Sequence, residues 1–203
     1  MSTAIGIPSF ASIYAKAPAA KAEIDAMADD IASMFDGAIV AKAPVKSEAR
    51  ALQKLNDNPW IAGDPTLLND LARNTIVVSP SYIGTVVTEL NGRGAEVRVI
   101  APDSNPLGYS GVNSTIKTKA GILGEIQVNT PAMIYAKESE RVARQILGDD
   151  TYNQIVHQTS VPGGLGHQLY EQYRVLSPAD PQAAEIAAQS RAYYEIVRRE
   201  NGG

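Results

Sequence analysis

Residues 112–129 read VNSTIKTKAGILGEIQVN: two strand-like runs around a short turn at Lys119–Gly121. Strand residues alternate faces. On the second run Glu125, Gln127 and Asn129 share one face, and Ile126 and Val128 share the other. On the first, Asn113, Thr115 and Lys117 share a face against Val112 and Ile116. A three-residue turn sets Thr115 opposite Glu125 and Asn113 opposite Gln127. One face of the hairpin then gathers six polar groups. Periodicity alone fits the solvated side of a half-buried antiparallel sheet equally well.

Working outward, 95–100 (AEVRVI), 74–78 (NTIVV) and 38–42 (AIVAK) read as further strands. Helices are predicted over 18–35, 45–55, 80–91 and 131–147, with a short one capped by Asp64 or Thr66 and running to Leu71. Three more follow over about 149–159, 165–175 and 180–200. Strands and helices intermix around one clear hairpin. The expected class is therefore α/β (α+β), a mixed sheet of about five strands flanked by helices, not a purely parallel wound sheet. The domain reading is an arm over 1–17, a core over 18–148 and a helical extension over 149–203 packed on it.

The chain has 203 residues, 44% hydrophobic and 20% charged, enough for one domain with a substantial core. It has no cysteine and two histidines, His157 and His167, which excludes thiolate sites and argues against a multi-histidine metal centre. The formal net charge of −4 lacks the footprint of a general nucleic-acid binder. No apolar run approaches the roughly 18–20 residues of a membrane span. The first residues do not read as a Sec signal. A cytoplasmic site of action is expected, and signal-free export by a dedicated secretion machine would leave no mark in these residues.

Lys46, Arg50 and Lys54 recur at i, i+4 and i+8. Three cations on one helical stripe suit a triphosphate, although the same spacing also describes a solvated helix face. Asp70 precedes the strand at 74–78, with Arg73 close behind. One carboxylate at a strand entrance is a way to hold Mg²⁺ whose remaining ligands come from substrate phosphates. Taken alone, Asp70 also fits an ordinary turn.

In this order, VKSEARALQK, DLARNTIVV, LGYSGVN and GEIQVNTPAM resemble the RelA/SpoT-type nucleotide pyrophosphokinase domain over roughly residues 40–140. The resemblance implies a nucleotidyltransferase-like synthetase fold and transfer of pyrophosphate from ATP to the 3′-hydroxyl of a purine nucleotide. It implies that Lys46 and Lys54, with Arg50 and Arg73 beside them, bind the donor ATP. Asp70 would hold Mg²⁺. Tyr109 would stack on the acceptor base with Asn113 nearby, and Gln127 would orient the acceptor. Glu125 would take the hydroxyl proton or share the metal. Lys117, Asn129, His167 and Arg174 are further candidates.

The sequence departs from the long housekeeping members of that family. Their hydrolase and regulatory domains are not expected within these 203 residues. Pro44, Ser110, Asn113 and Asn129 stand where Arg, Arg, His and Arg are usual. These changes, with TPAMIYAKE at 130–138 and GGLGHQLYEQYR at 163–174, resemble the synthetase-only toxins of toxin–antitoxin systems and interbacterial effectors. That implies an immunity or antitoxin partner, and the lost acceptor residues favour an adenosine nucleotide over a guanosine one. Two alternatives stay open: the same chemistry on the 3′-terminal adenosine of tRNA, for which Arg141, Arg144, Arg198 and Arg199 offer a thin basic surface, and a non-catalytic nucleotide-binding domain.

Overall fold

The computed structural model describes residues 7–58, 60–61 and 63–200. Its sheet has five strands in the order β1-β2-β5-β4-β3: β1 (Ile39–Lys42), β2 (Arg73–Val77), β3 (Glu96–Ile100), β4 (Gly111–Lys117) and β5 (Leu123–Asn129). β2 and β5 are parallel, and the other three pairings are antiparallel. The mixed sheet expected from the sequence is observed. So is the hairpin register, with Thr115 opposite Glu125 and Asn113 opposite Gln127.

In-register pairing carries one face from strand to strand. Arg73 lies beside Glu125, and Thr75 beside Gln127. The opposite face presents Ile76, Ile126, Val128, Val112 and Ile116, which pack with Ile24 and Ile31 of α2 (Ala17–Ala32) and with Val86 and Leu90 of α4 (Ile83–Gly92). Burying a core of this kind is the main favourable contribution to folding, at about 25 cal/mol per Å² of apolar surface.

The helices of the C-terminal half form a second core around Val77. They are α5 (Pro131–Lys137), α6 (Glu140–Leu147), α7 (Asp149–Thr159), α8 (Leu165–Tyr173) and α9 (Pro181–Glu200). They cover one end of the polar sheet face and leave the rest as the floor of a cleft.

Four local expectations change. The described part of the N-terminal stretch read as an arm contains a helix, α1 (Phe10–Tyr14), whose Ile13 is buried, while residues 1–6 lie outside the described residues. The short helix expected to reach Leu71 is a single 3₁₀ turn, Pro65–Leu67, capped by Asp64. The helix expected over 131–147 is two helices: Glu138 is extended, and Ser139 starts α6 by accepting the Val142 N–H. The helix expected over 45–55 is α3 (Glu48–Asp57), so Lys46 lies before its N-cap, Ser47. The predicted stripe of three cations is therefore not a helical stripe.

Candidate active site

Lys46 reaches the site from the loop before α3 rather than from the helix itself. Its backbone N–H donates to Leu71 O at 2.9 Å, and its carbonyl accepts from the Tyr14 hydroxyl at 3.1 Å. Leu68, Leu71 and Ala72 are buried and pin the segment entering β2. Asp70, between them, meets two cations: Lys46 Nζ lies 3.0 Å from Oδ2, and Lys54 Nζ lies 3.1 Å from Oδ1. Lys54 also donates to Asn69 Oδ1 at 3.3 Å. Burial alone would raise the Asp70 carboxyl, but Lys54 and Lys46 outweigh it and hold the group below the ordinary carboxylate range. Arg50, one turn before Lys54, is exposed, and its bond to Gln53 is long, at 3.4 Å.

Glu125 is 8% exposed, and its N–H donates to Ala72 O at 2.9 Å. Its carboxyl is pushed the opposite way, upward. Burial is the main cause and the negative charge of Asp70 the next, with Arg73, Lys54 and the Gln127 hydrogen bond opposing. Two neighbouring acids are thus tuned apart, the arrangement that separates a fixed anion from a proton acceptor. Gln127 Nε2 donates to Glu125 Oε2 at 3.2 Å, and Lys137 Nζ donates to Gln127 Oε1 at 3.1 Å.

A cleft of about 1060 Å³ opens over this sheet face. Its floor includes Arg73, Asn113 and Gln127, and its walls include Tyr109, Lys137 and His167. The two acids and the two lysines do not line the cleft, so the concavity and the charged cluster adjoin through Arg73 and Gln127. This suits a large ligand in the cleft with its anionic part over the charges.

Tyr109 stands at the other end. Its hydroxyl donates to Asn129 Oδ1 at 2.8 Å, its ring meets Tyr194 edge-on at 6.1 Å, and Lys137 Nζ lies 5.8 Å from its centroid. Burial pushes the Tyr109 phenol up to about 12, so it stays a hydrogen-bond donor. A Cβ on Gly111 would collide with the Tyr109 hydroxyl and stand 3.0 Å from Asn129 Oδ1. Only glycine there lets the ring lie over β4.

The loop carrying Tyr109 is gripped from α9. Arg191 donates to Pro106 O at 2.7 Å, Ser190 to Leu107 O at 2.8 Å, and Arg198 to Gly108 O at 2.6 Å. Three successive carbonyls are thereby held. Gly108 has φ +78°, and a Cβ on it would stand 2.9 Å from Arg191 Cα.

Most of the candidate residues gather here, and some do not. Asn129 is fully buried, with Nδ2 unpaired. Lys117 is exposed at the end of β4. His167 lies on the cleft wall with Tyr170 and Tyr173 of α8. Arg174 is not part of that wall and pairs with Glu171 at 2.9 Å, so it does not close over the cleft. Among the described residues no group of three or more His, Cys, Asp or Glu could hold a metal. The two acids nonetheless fit Mg²⁺, which takes one or two protein carboxylates and keeps its other ligands from water and phosphate. Asp70 Oδ1, buried and without an aligned hydrogen bond, has the lone pairs to spare.

The sequence reading missed Lys137 and the α9 grip. A signal for Lys137 existed: it follows the apolar run AMIYA at 132–136, and a charge ending so apolar a helix has to find a polar partner. None existed for Ser190, Arg191 and Arg198, whose partners are backbone carbonyls far away in sequence.

No family model matches the chain. Over 193 residues it is 58% identical to the (p)ppApp synthetase toxin Tas1 of Pseudomonas aeruginosa (strain UCBPP-PA14), covering 95% of this chain and 43% of that protein. The chain thus spans less than half the length of that relative. In the crystal structure of the complex between the Type VI effector Tas1 and its immunity protein, the matching chain has a TM-score of 0.87 at 58% identity, covering 94% of this chain and 96% of that one. The small alarmone synthetase 1 from Bacillus subtilis, bound to its product pppGpp, shares the fold at a TM-score of 0.53 and 17% identity, covering 92% and 90%. Identity of this extent over nearly a whole solved chain, on a common synthetase fold, shows that the chain belongs to the RelA/SpoT-type synthetase family, alongside Tas1.

Proposed function

We propose that the chain transfers the β,γ-pyrophosphate of ATP to the 3′-hydroxyl of a purine nucleotide, with ADP or ATP as the acceptor, and so acts as a toxin that drains adenosine nucleotides. The observation that carries this reading is the pair of adjoining acids tuned in opposite directions beside a cleft floored by polar side chains. Lys46 and Lys54 are the donor-phosphate cations, with Arg73 facing the cleft between the two ends. Arg50 has the weakest claim, being on the outer face of α3.

The acceptor base stacks on Tyr109, and Asn113 and Gln127 direct its ribose. The 3′-oxygen attacks the β-phosphorus of ATP as its proton passes to Glu125. The bond from the β-phosphorus to the α,β-bridging oxygen breaks, and AMP departs with that oxygen. A raised carboxyl suits the proton acceptor. Asp70, the fixed anion of the pair, would hold Mg²⁺, which when bound neutralises phosphate charge and polarises the attacked phosphorus, and Glu125 is left to take the proton. Positioning and charge stabilisation supply most of the acceleration, as in other phosphoryl transfers.

The relative named a (p)ppApp synthetase supports an adenosine acceptor. The solved Tas1 complex supports an immunity protein as partner and delivery into another bacterium by a Type VI route. No helix among the described residues is long and apolar enough to cross a membrane. The tRNA alternative loses ground: Arg144 is taken up by Glu140, Asp149 and Asn153, and Arg198 turns inward to Gly108.

Mass spectrometry of reactions holding ATP with ADP, with GDP or with tRNA tests the proposal. The expected products are AMP and an adenosine nucleotide carrying a 3′-pyrophosphate, in equal amounts. Turnover only with tRNA, or no AMP from any mixture, would overturn it. Glu125→Gln as active as the wild type would remove the role assigned to that acid.

A further inference from the structure

Lys137 closes α5, in which the five residues before it are buried. Its Nζ lies 3.1 Å from Gln127 Oε1, and Gln127 Nε2 lies 3.2 Å from Glu125 Oε2. The chemistry of this relay is directional. An ammonium only donates, a carboxylate only accepts, and an amide has one end of each kind. With Lys137 at the oxygen end, Gln127 can present only its NH₂ to Glu125. Without Lys137 the amide is free to turn over, which would set its oxygen against the carboxylate. Glu138, 3.5 Å from Lys137 Nζ, balances the charge, and the Tyr109 ring covers it from the acceptor side.

We propose that Lys137 is a positioning residue for the transfer reaction, fixing the Gln127 amide so that its NH₂ holds Glu125 in one orientation. The proposal rests on the reading of Glu125 as the proton acceptor; Lys137 also lines the cleft, and the test separates its action through Gln127 from a direct contact with the nucleotide.

A double-mutant cycle tests it. Lys137→Met keeps the stem and removes the donor. It is expected to lower kcat by about 10–100-fold, the usual cost of losing a group that orients a catalytic ligand, with the KM for ATP unchanged. In a Gln127→Ala background the same change should cost less than about twofold, because the relay is already cut. Lys137→Arg, which still donates, should recover most of the activity. Losses that multiply in the double variant, or a Lys137→Met defect confined to the acceptor KM, would overturn the proposal. A second readout does not depend on activity. The Gln127 side-chain amide protons, assigned by their loss in Gln127→Ala, should shift and lose exchange protection in Lys137→Met. If they do not move, the positioning role fails whatever reaction the protein performs. If they move while the wild type makes no 3′-pyrophosphate, the functional reading fails and the relay stands.

Discussion

At the Asp70 end of the site, the two cations that hold the aspartate, Lys46 and Lys54, come from the segment just before it in the chain, and the contacts are between full charges. At the Tyr109 end, the loop is held by hydrogen bonds to three consecutive carbonyls from side chains 83 to 90 residues away. The first end is a balance of charges that tolerates movement of long lysine stems. The second is a matter of shape, in which a tyrosine is laid over Gly111 and a loop is gripped by a helix. The ends should therefore fail differently. Damage at the first changes chemistry and charge balance together, and damage at the second changes acceptor binding while leaving ATP binding intact.

The largest effects should come from the two acids, and they sharpen the contrast within the charged end itself. Glu125→Gln and Asp70→Asn should each reduce 3′-pyrophosphate formation by roughly 10²–10⁴-fold, the range for removing a positioned proton acceptor or phosphate-organising group. Their thermal stabilities without metal should part. Asp70 is an anion between two lysines, and neutralising it leaves those cations facing each other, a loss of about 1–3 kcal/mol. Glu125 is an acid held in an unfavourable place, and neutralising it should raise Tm.

The pH dependence separates the two by sign. The folded carboxyl of Asp70 lies below its unfolded value, so its stabilisation is complete above the unfolded value and is lost as pH falls through the folded one. The carboxyl of Glu125 lies above its unfolded value, so the advantage of Glu125→Gln is full above that raised value. It fades as pH falls from there toward 4.5. Calorimetry of both variants across that range checks this. If the two shift Tm in the same direction, the acids are not tuned apart.

At the acceptor end the steepest single change is Gly111→Ala. The added methyl occupies the space of the Tyr109 hydroxyl and crowds Asn129 Oδ1. Tyr109 must then leave its place over β4, and the KM for the acceptor should rise by more than tenfold. A smaller loss should follow from Arg198→Gln combined with Ser190→Ala, which release two of the three gripped carbonyls. An acceptor KM raised roughly five- to tenfold corresponds to about 1–1.4 kcal/mol, the scale of a hydrogen bond or two. In both variants the KM for ATP should stay within twofold of wild type. An equal rise for both substrates would show that the ends are not independent.

The same contrast explains what could be read from the sequence. The hairpin register was legible because its polar and apolar positions mostly alternate, with Ser114 and Leu123 as the exceptions, and a slip of one residue would invert every side chain. Asp70 and the two lysines were legible because charge patterns survive errors in element boundaries: Lys46 reaches Asp70 even though it stands outside the helix assigned to it. The α9 grip was not legible. For Ser190, Arg191 and Arg198 the sequence offers only a helix over about 180–200, and a backbone carbonyl carries no residue identity by which its partner could be guessed. The break between α5 and α6 was missed because Glu138 and Ser139 fit a helix interior and a cap equally well.

The smallest effect is expected at Arg174, a candidate that the structure turns away from the cleft. Arg174, the C-cap residue of α8, is exposed and pairs with Glu171 in the last turn of that helix. Exposed pairs of this kind contribute about 0.2–1 kcal/mol at most. Arg174→Ala should leave both KM values and kcat within about twofold of wild type. His167→Ala is the control from the same helix, since His167 lines the cleft wall and its loss should be felt in the acceptor KM alone. If Arg174→Ala proved the more damaging of the two, α8 would have to rotate or close when the nucleotides bind. The outward face of that helix would then belong to the acceptor end, and the shape-based half of the site would be one that completes itself around its ligand.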